Sequence, residues 1–345
     1  MPGNKIFQTE LRKSLPVTGL LTVLCFLSPL ISTAQLKWNN ADTLYAPLPS
    51  TVHIFKTNDS LDGKPFIAYY AEALLADPKL EFTTDTTFHR RFTPKQFYEK
   101  NSQPLLVVNC SFFNFDKHQN LNVIIKKGRL LAYNVHSIAL KGRDTFQYKH
   151  PLGSAIGISK KRKADIAWLY TDSSKKYPYA MQVKLAAIKD SVKTPDFDYI
   201  NYAANVIHNN YSRPGYRNFA SLKKWKMQTA VGGGPVLVQE GMVNISNEEE
   251  LKFTGKAISD KHPRTAMGYT KDGKLIILLI QGRFPGIAEG ATLEQEARIL
   301  ISLGCVEALN LDGGGSSCML INGKETIRPS DKEGERAVPA VFIIK

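Results

Sequence analysis

Short apolar runs broken by polar turns recur along this chain, and few stretches keep the spacing of an amphipathic helix. Val52–Lys56 and Phe66–Ala73 read as strands separated by the turn cluster 58–63, and Leu105–Val108 reads as a buried strand. One device then repeats. Val123–Ile125 and Leu130–Ala132 flank Lys126–Arg129; Pro235–Val238 precedes Gln239–Gly241; Ala266–Tyr269 and Leu275–Ile280 flank Lys271–Gly273; Cys318–Ile321 leads into Asn322–Gly323. Each is an apolar run ending in a turn with glycine late in it, the pattern of a β-hairpin. Two helices carry start signals. Thr93-Pro94-Lys95-Gln96 combines an N-cap, a proline in the first turn and a capping-box glutamine, with an end expected near Asn101. Thr292-Leu293-Glu294-Gln295 is a second capping box; Leu293, Ala297, Leu300 and Ile301 share one face, and Gly304 stands at the C′ position. Pro339–Ile344 is a final strand. The fold expected is α+β: mixed, largely antiparallel β-sheets built from hairpins, with a few packed helices.

Residues 160–226 break this rhythm. They are basic and rich in Tyr and Asn, and read as an insertion or loops over the scaffold, with a helix expected over Ala186–Asp190. The chain start reads as a secretory signal, residues 1–34: Lys5, Arg12 and Lys13 precede the apolar run Val17–Ile31, and Ser32-Thr33-Ala34 supplies small residues for cleavage before Gln35. Export to the periplasm or the extracellular space follows, with no transmembrane span after signal removal. Past that signal remain Cys110, Cys305 and Cys318, an odd count that rules out a disulfide scaffold, and no Cys/His pair has zinc-ligand spacing. No metal or cofactor is expected, and the oligomeric state is open.

Charge changes the picture more than composition does. Hydrophobic content of 43% is ordinary, but the formal net charge of +14 favours an anionic partner. Lys and Arg are spread along the chain without a compact block or a nucleic-acid motif, so nucleic acid is not the expected partner.

Candidate chemistry concentrates at 308–317, Ala-Leu-Asn-Leu-Asp-Gly-Gly-Gly-Ser-Ser. Strand alternation points Asn310 and Asp312 to one side and Leu309 and Leu311 into the core. The glycines Gly313, Gly314 and Gly315 then open the turn to a ligand, with the Ser316 hydroxyl at its edge. No Gly-Lys-Ser/Thr follows, so this is not a nucleotide phosphate loop.

Taken with Val231–Pro235, His262–Ala266, Gln281-Gly282-Arg283, Asn109–Phe113 and Pro329-Ser330-Asp331 with Arg336, this stretch resembles the phosphodiester glycosidase family, in family order from about residue 100 to the C-terminus. The resemblance makes 101–345 the glycosidase-like domain, with the insertion at 160–226, and 35–100 its N-terminal strands and lead-in. It implies hydrolysis between an anomeric carbon and a phosphodiester oxygen of a phosphorylated or acidic carbohydrate. Asp312 is then the carboxylate at the oxocarbenium-like centre and His262 a proton shuttle. Arg264 and Arg283 hold phosphate, Gly313, Gly314 and Ser316 add donors, and Asn109 and Asn310 meet sugar hydroxyls; Ser111, Gly233 and Gly234 complete the binding surface. Three positions depart from the family pattern: Cys110 replaces a usual glycine, Gln295 a frequent glutamate and Gln281 a frequent aspartate. The last two favour an alternative, a non-catalytic binder of phosphorylated or acidic glycan in exopolysaccharide assembly. A third reading is an envelope protein whose basic surface adheres to acidic polymer.

Overall fold

The computed structural model describes residues 36–191 and 222–345. The expected hairpins form: Ile124–Lys126 pairs Arg129–Ala132, Val236–Gln239 pairs Met242–Val243, Arg264–Thr270 pairs Lys274–Ile280, and Met319–Ile321 pairs Lys324–Glu325. They join three principal sheets, and every strand pairing among the described residues within them is antiparallel. The eight-stranded sheet runs, in spatial order, 39–40, 52–57, 68–74, 274–280, 264–270, 305–310, 236–239, 242–243. The seven-stranded sheet runs 129–132, 124–126, 227–232, 153–159, 164–170, 179–181, 223–224. The five-stranded sheet is built from 324–325, 319–321, 106–109, 340–344 and 82–86. The architecture is thus β-dominated, with few helices.

Alternation explains how the layers bury themselves. On Lys274–Ile280, Leu275, Ile277 and Leu279 enter a core shared with Ile156, Trp168 and Val231 of the seven-stranded sheet and Leu106, Val108 and Phe342 of the five-stranded sheet. Ile276, Leu278 and Ile280 face the other way, against Leu293, Ala297 and Leu300 of the helix Leu293–Ser302. Both faces of this strand are covered, which is why it is apolar throughout. The helix Pro94–Lys100 covers the five-stranded sheet likewise, packing Phe97 and Tyr98 on Val107 and Val341. Both capping boxes close reciprocally, through Thr93 with Gln96 and Thr292 with Gln295. Gly304 follows the second helix at φ +85°, a conformation that favours glycine.

Between residues 160 and 191 the expectations need correcting. Ile188–Asp190 is a short strand paired with Tyr148–His150, not a helix. Ala164–Tyr170 is no loop but an inner strand of the seven-stranded sheet, where β-pairing with Gly153–Ser159 overrides its basic surroundings. Residues 192–221, the rest of that stretch, and the signal expected over 1–34 lie outside the described residues.

Removing Leu278 side-chain atoms from this two-sided core (Leu278→Ala) should lower unfolding free energy by about 2–5 kcal/mol. Thr292→Ala, which deletes one capping-box acceptor, should lower it by about 1 kcal/mol. Urea unfolding followed by circular dichroism measures both; equal losses would contradict this division between core and cap.

Candidate functional site

Strand Cys305–Asn310 runs between Arg264–Thr270 and Val236–Gln239, and the chain leaves it held on several sides. Leu311 N–H donates to Thr265 O at 2.7 Å, Asp312 N–H to Cys110 O at 2.8 Å, and Gly314 N–H to Pro263 O at 2.9 Å. Gly234 N–H donates to Asn310 O at 2.8 Å, and the Gly233 carbonyl accepts from Asn122 Nδ2 at 3.2 Å. The strand ends carrying Asn109, Gly233, Arg264 and Asp312 therefore meet at one place, although more than 200 residues separate Asn109 from Asp312.

The amides expected to meet sugar hydroxyls are engaged with the protein itself. Asn109 Nδ2 donates to Asp312 O at 2.5 Å, while Oδ1 accepts from Thr265 Oγ1 (3.1 Å) and Cys318 N–H (3.0 Å). Asn310 Nδ2 donates to Gly234 O (2.8 Å) and Leu311 O (2.9 Å), and its Oδ1 is buried with no partner among the described residues. Both brace the turn. Ser111 is buried too, its hydroxyl on Phe112 O at 3.0 Å.

The Asp312 carboxyl differs from an ordinary structural carboxylate. Buried Glu250 accepts from Ser154 N–H and Oγ, Trp168 Nε1, Val236 N–H and Ser246 Oγ, at 2.6–3.1 Å. Asp312 Oδ2 is buried with no hydrogen-bond partner among the described residues. Burial pushes its pKa up to about 7, with Ser316, Arg336 and the Gly313 amide offsetting part of that. Such a carboxyl can hold or release a proton near neutrality.

Two guanidinium groups lie over the glycine turn. Gly314, at φ +63°, has Arg283 Nη2 3.0 Å from where a Cβ would stand, and a Cβ on Gly315 would run into the Arg336 guanidinium. Arg283 is exposed; Arg336 donates from Nε to Asp331 Oδ2 at 2.6 Å and lies 5.4 Å from the Phe115 ring. Together they offer an anion planar donors beside Asp312. Arg264 is placed differently: it is buried, with Nε on Ala291 O (2.9 Å), Nη2 on Asp260 O (3.3 Å) and its guanidinium 5.6 Å from the Phe253 ring. His262 pairs through its backbone with Ala291. Burial and the charges of Arg264 and Arg283 lower its pKa, favouring the neutral ring, and Nδ1 is buried without a partner among the described residues.

Two contributors went unassigned in the sequence reading. Arg336 stands in a quoted motif but received no role. Glu296 is fully buried, with both carboxyl oxygens unpartnered among the described residues. Burial raises its pKa to about 8, and Arg264 partly opposes this. Its signal was present: it lies three residues after Leu293 and four before Leu300, on the buried face. Gln295 closes the helix cap, a task glutamine and glutamate share, and Gln281 Oε1 accepts from Arg328 N–H at 2.9 Å. Cys110, Cys305 and Cys318 are buried free thiols. Among the described residues, no three His, Cys, Asp or Glu side chains group to hold a metal.

With this geometry in hand, the comparisons are specific. Residues 200–345 match the phosphodiester glycosidase family. Bovine (Bos taurus) N-acetylglucosamine-1-phosphodiester alpha-N-acetylglucosaminidase is 32% identical over 103 residues, covering 28% of this chain and 19% of that protein. A SPbeta prophage-derived uncharacterized protein of Bacillus subtilis is 42% identical over 78 residues, covering 23% of this chain and 12% of its own length. The solved catalytic domain of the zebrafish N-acetylglucosamine-1-phosphodiester alpha-N-acetylglucosaminidase superposes with a TM-score of 0.55 at 18% identity, covering 90% of this chain and 88% of that one. A putative exported protein of Burkholderia pseudomallei gives 0.55 at 15% identity, covering 84% and 75%. These two share the fold.

Glu296 makes a stability prediction. Its folded pKa is raised, so between about pH 4.5 and 8 the folded chain binds more protons than the unfolded one, and stability falls as pH rises through that window. Glu296→Gln should remove this slope, raising the unfolding free energy at pH 7.5 relative to the parent, and less at pH 5, by an amount on the order of a few kcal/mol at most, with the unfolding midpoint rising accordingly. Thermal unfolding across pH tests it; parallel curves for parent and variant would refute the assignment.

Proposed function

We propose, from the resemblance of this chain to the phosphodiester glycosidase family, that it is an exported glycosidase cleaving a sugar-1-phosphodiester bond in a phosphorylated or envelope glycan. The observation that carries the reading is one juxtaposition: the half-buried Asp312, whose Oδ2 is buried with no hydrogen-bond partner among the described residues, beside a glycine turn covered by Arg283 and Arg336. The arginines hold the phosphodiester and take up charge as its oxygen departs with the bonding electrons. Asp312, ionised, faces the oxocarbenium-like carbon and receives the proton of the water that adds there. The phosphate is a good leaving group, so the demand for a strong acid is small, and neutral His262 suits a relay role. Arg264 serves by fixing the His262–Thr265 segment. What supports turnover over a purely binding role is a carboxyl at Asp312 that titrates near neutrality beside the glycine turn.

The test substrate is N-acetylglucosamine 1-(methyl phosphate). Cleavage on either side of the bridging oxygen yields a reducing sugar and cleavage on the far side of phosphorus does not; in 18O-labelled water, label in the sugar marks cleavage at the anomeric carbon, whereas label in methyl phosphate marks cleavage at phosphorus and would overturn the glycosidase reading. Asp312→Asn should lower kcat by about a hundredfold or more, with sugar-phosphate binding retained. The parent kcat/KM should rise with pH through about 7 as Asp312 ionises. Arg283→Ala or Arg336→Ala should weaken binding by about 1.5–3 kcal/mol, and lysine should rescue only in part. Parent-like turnover by Asp312→Asn would end this assignment. Binding without any turnover by the parent would leave the alternative, a glycan binder in exopolysaccharide assembly.

A further inference from the structure

The far ends of strands that reach the glycine turn carry a second feature that the glycosidase reading does not use. A cavity of about 360 Å³ opens between strands of the seven-stranded and five-stranded sheets, lined by Lys79, Glu81, Thr83, Lys127, Lys160 and Arg162 among others. The pairing register separates it from the glycine turn. On the strand Met227–Gly232, Thr229 lines the cavity while Gly232 lies at the site end; Thr229 pairs Ile158, another lining residue, and Gly232 pairs Ala155. Ile344 pairs Phe82 of the cavity on one side, whereas Val341 pairs Asn109 of the turn on the other. The two lie at opposite ends of the same strands.

The lining is built, not incidental. Arg162 is fastened to three carbonyls, Leu75 O (3.1 Å), Pro78 O (3.5 Å) and Leu80 O (2.7 Å), with its guanidinium 5.8 Å from the Phe82 ring. Lys79, Lys127 and Lys160 are exposed, and none of them takes part in an ion pair among the described residues. Glu81 and nearby Asp77 oppose these four cations only in part, and Asp77 is already bound by Thr51 and the Lys79 N–H. A cationic rim asks for acid groups on whatever enters the cavity, and the match of this chain to a glycosidase family makes an acidic glycan their source.

We propose that this cavity is a second binding site, for a carboxylate- or phosphate-bearing segment of an acidic glycan, separate from the glycine turn. The site stands whether or not Asp312 catalyses. Nucleic acid fits less well, because the one aromatic ring in the lining, Phe82, is buried and leaves no stacking platform for bases.

Calorimetric titration of the full chain with a galacturonate hexamer, a phosphorylated mannose oligomer and oligothymidylate tests it. Lys79→Glu with Lys160→Glu should weaken the preferred acidic oligomer by about tenfold or more. Lys175→Glu with Lys176→Glu makes the same charge change at exposed positions away from the cavity and should weaken it by less than about threefold. None of these variants should alter hydrolysis at the glycine turn. The tighter of the two acidic oligomers tells carboxylate from phosphate. Equal losses in the two charge-reversed variants would reduce the cavity to a diffuse basic surface. Absence of binding by the parent, or equally tight oligothymidylate, would overturn the proposal.

Discussion

The hydrogen bonds at the end of Cys305–Asn310 do what no single sheet can do alone. Leu311 bonds to the neighbouring strand at Thr265, the next residue bonds to Cys110 beyond the five-stranded sheet, and Asn109 reaches back to the Asp312 carbonyl. Thr265 Oγ1 closes the set, donating to Asn109 Oδ1 and accepting from the Ser317 hydroxyl. Two sheets are thereby stitched at the point where the chain changes from strand to glycine turn. Because these groups are buried, losing a partner costs more than the net worth of one bond. The stitch also fixes the direction of the Asp312 side chain, since the backbone on either side of it is held.

That constraint accounts for the division of labour among the polar residues. Asn109 and Asn310 look like ligand-binding residues from their position at a strand end, yet their donors go to backbone carbonyls of the same turn. The groups left to meet a ligand are those whose chemistry the stitch does not use: the Asp312 carboxyl, the Ser316 hydroxyl and the guanidiniums over Gly314 and Gly315. Two glycines are needed there for different reasons. Gly314 adopts a positive φ, and Gly315 leaves the space that Arg336 fills.

Much of this was legible in the sequence where the signal is local. Capping boxes at Thr93 and Thr292, the hairpin turns and the unbroken apolar strand at 275–280 each follow from a few neighbouring residues. The meeting of Asn109 with Asp312 was legible only as a set of similar strand ends, and the resemblance supplied their order. What stayed hidden depends on tertiary surroundings. Gln281 and Gln295 read as missing carboxylates, and the structural partners they also have, Arg328 N–H and Thr292 N–H, come into view only in the fold. Arg336 counts because it folds back on Gly315, and Ile188–Asp190 is a strand because a distant edge at Tyr148–His150 accepts it.

Three buried carboxyl groups in one small fold show how the same side chain acquires different uses. Glu250 accepts five hydrogen bonds and ties Ser154, Trp168, Val236 and Ser246 together, so its charge is answered by donors on every side. Glu296 has no such donors and only the Arg264 charge to oppose burial, which makes the protonated form the stable one at neutral pH. Asp312 lies between them, with Ser316, Arg336 and the Gly313 amide compensating part of its desolvation. A carboxylate saturated with donors is a fixed joint, and one with none is a neutral filler. The intermediate case titrates at about 7, and it stands at the stitched strand end, beside the two arginines.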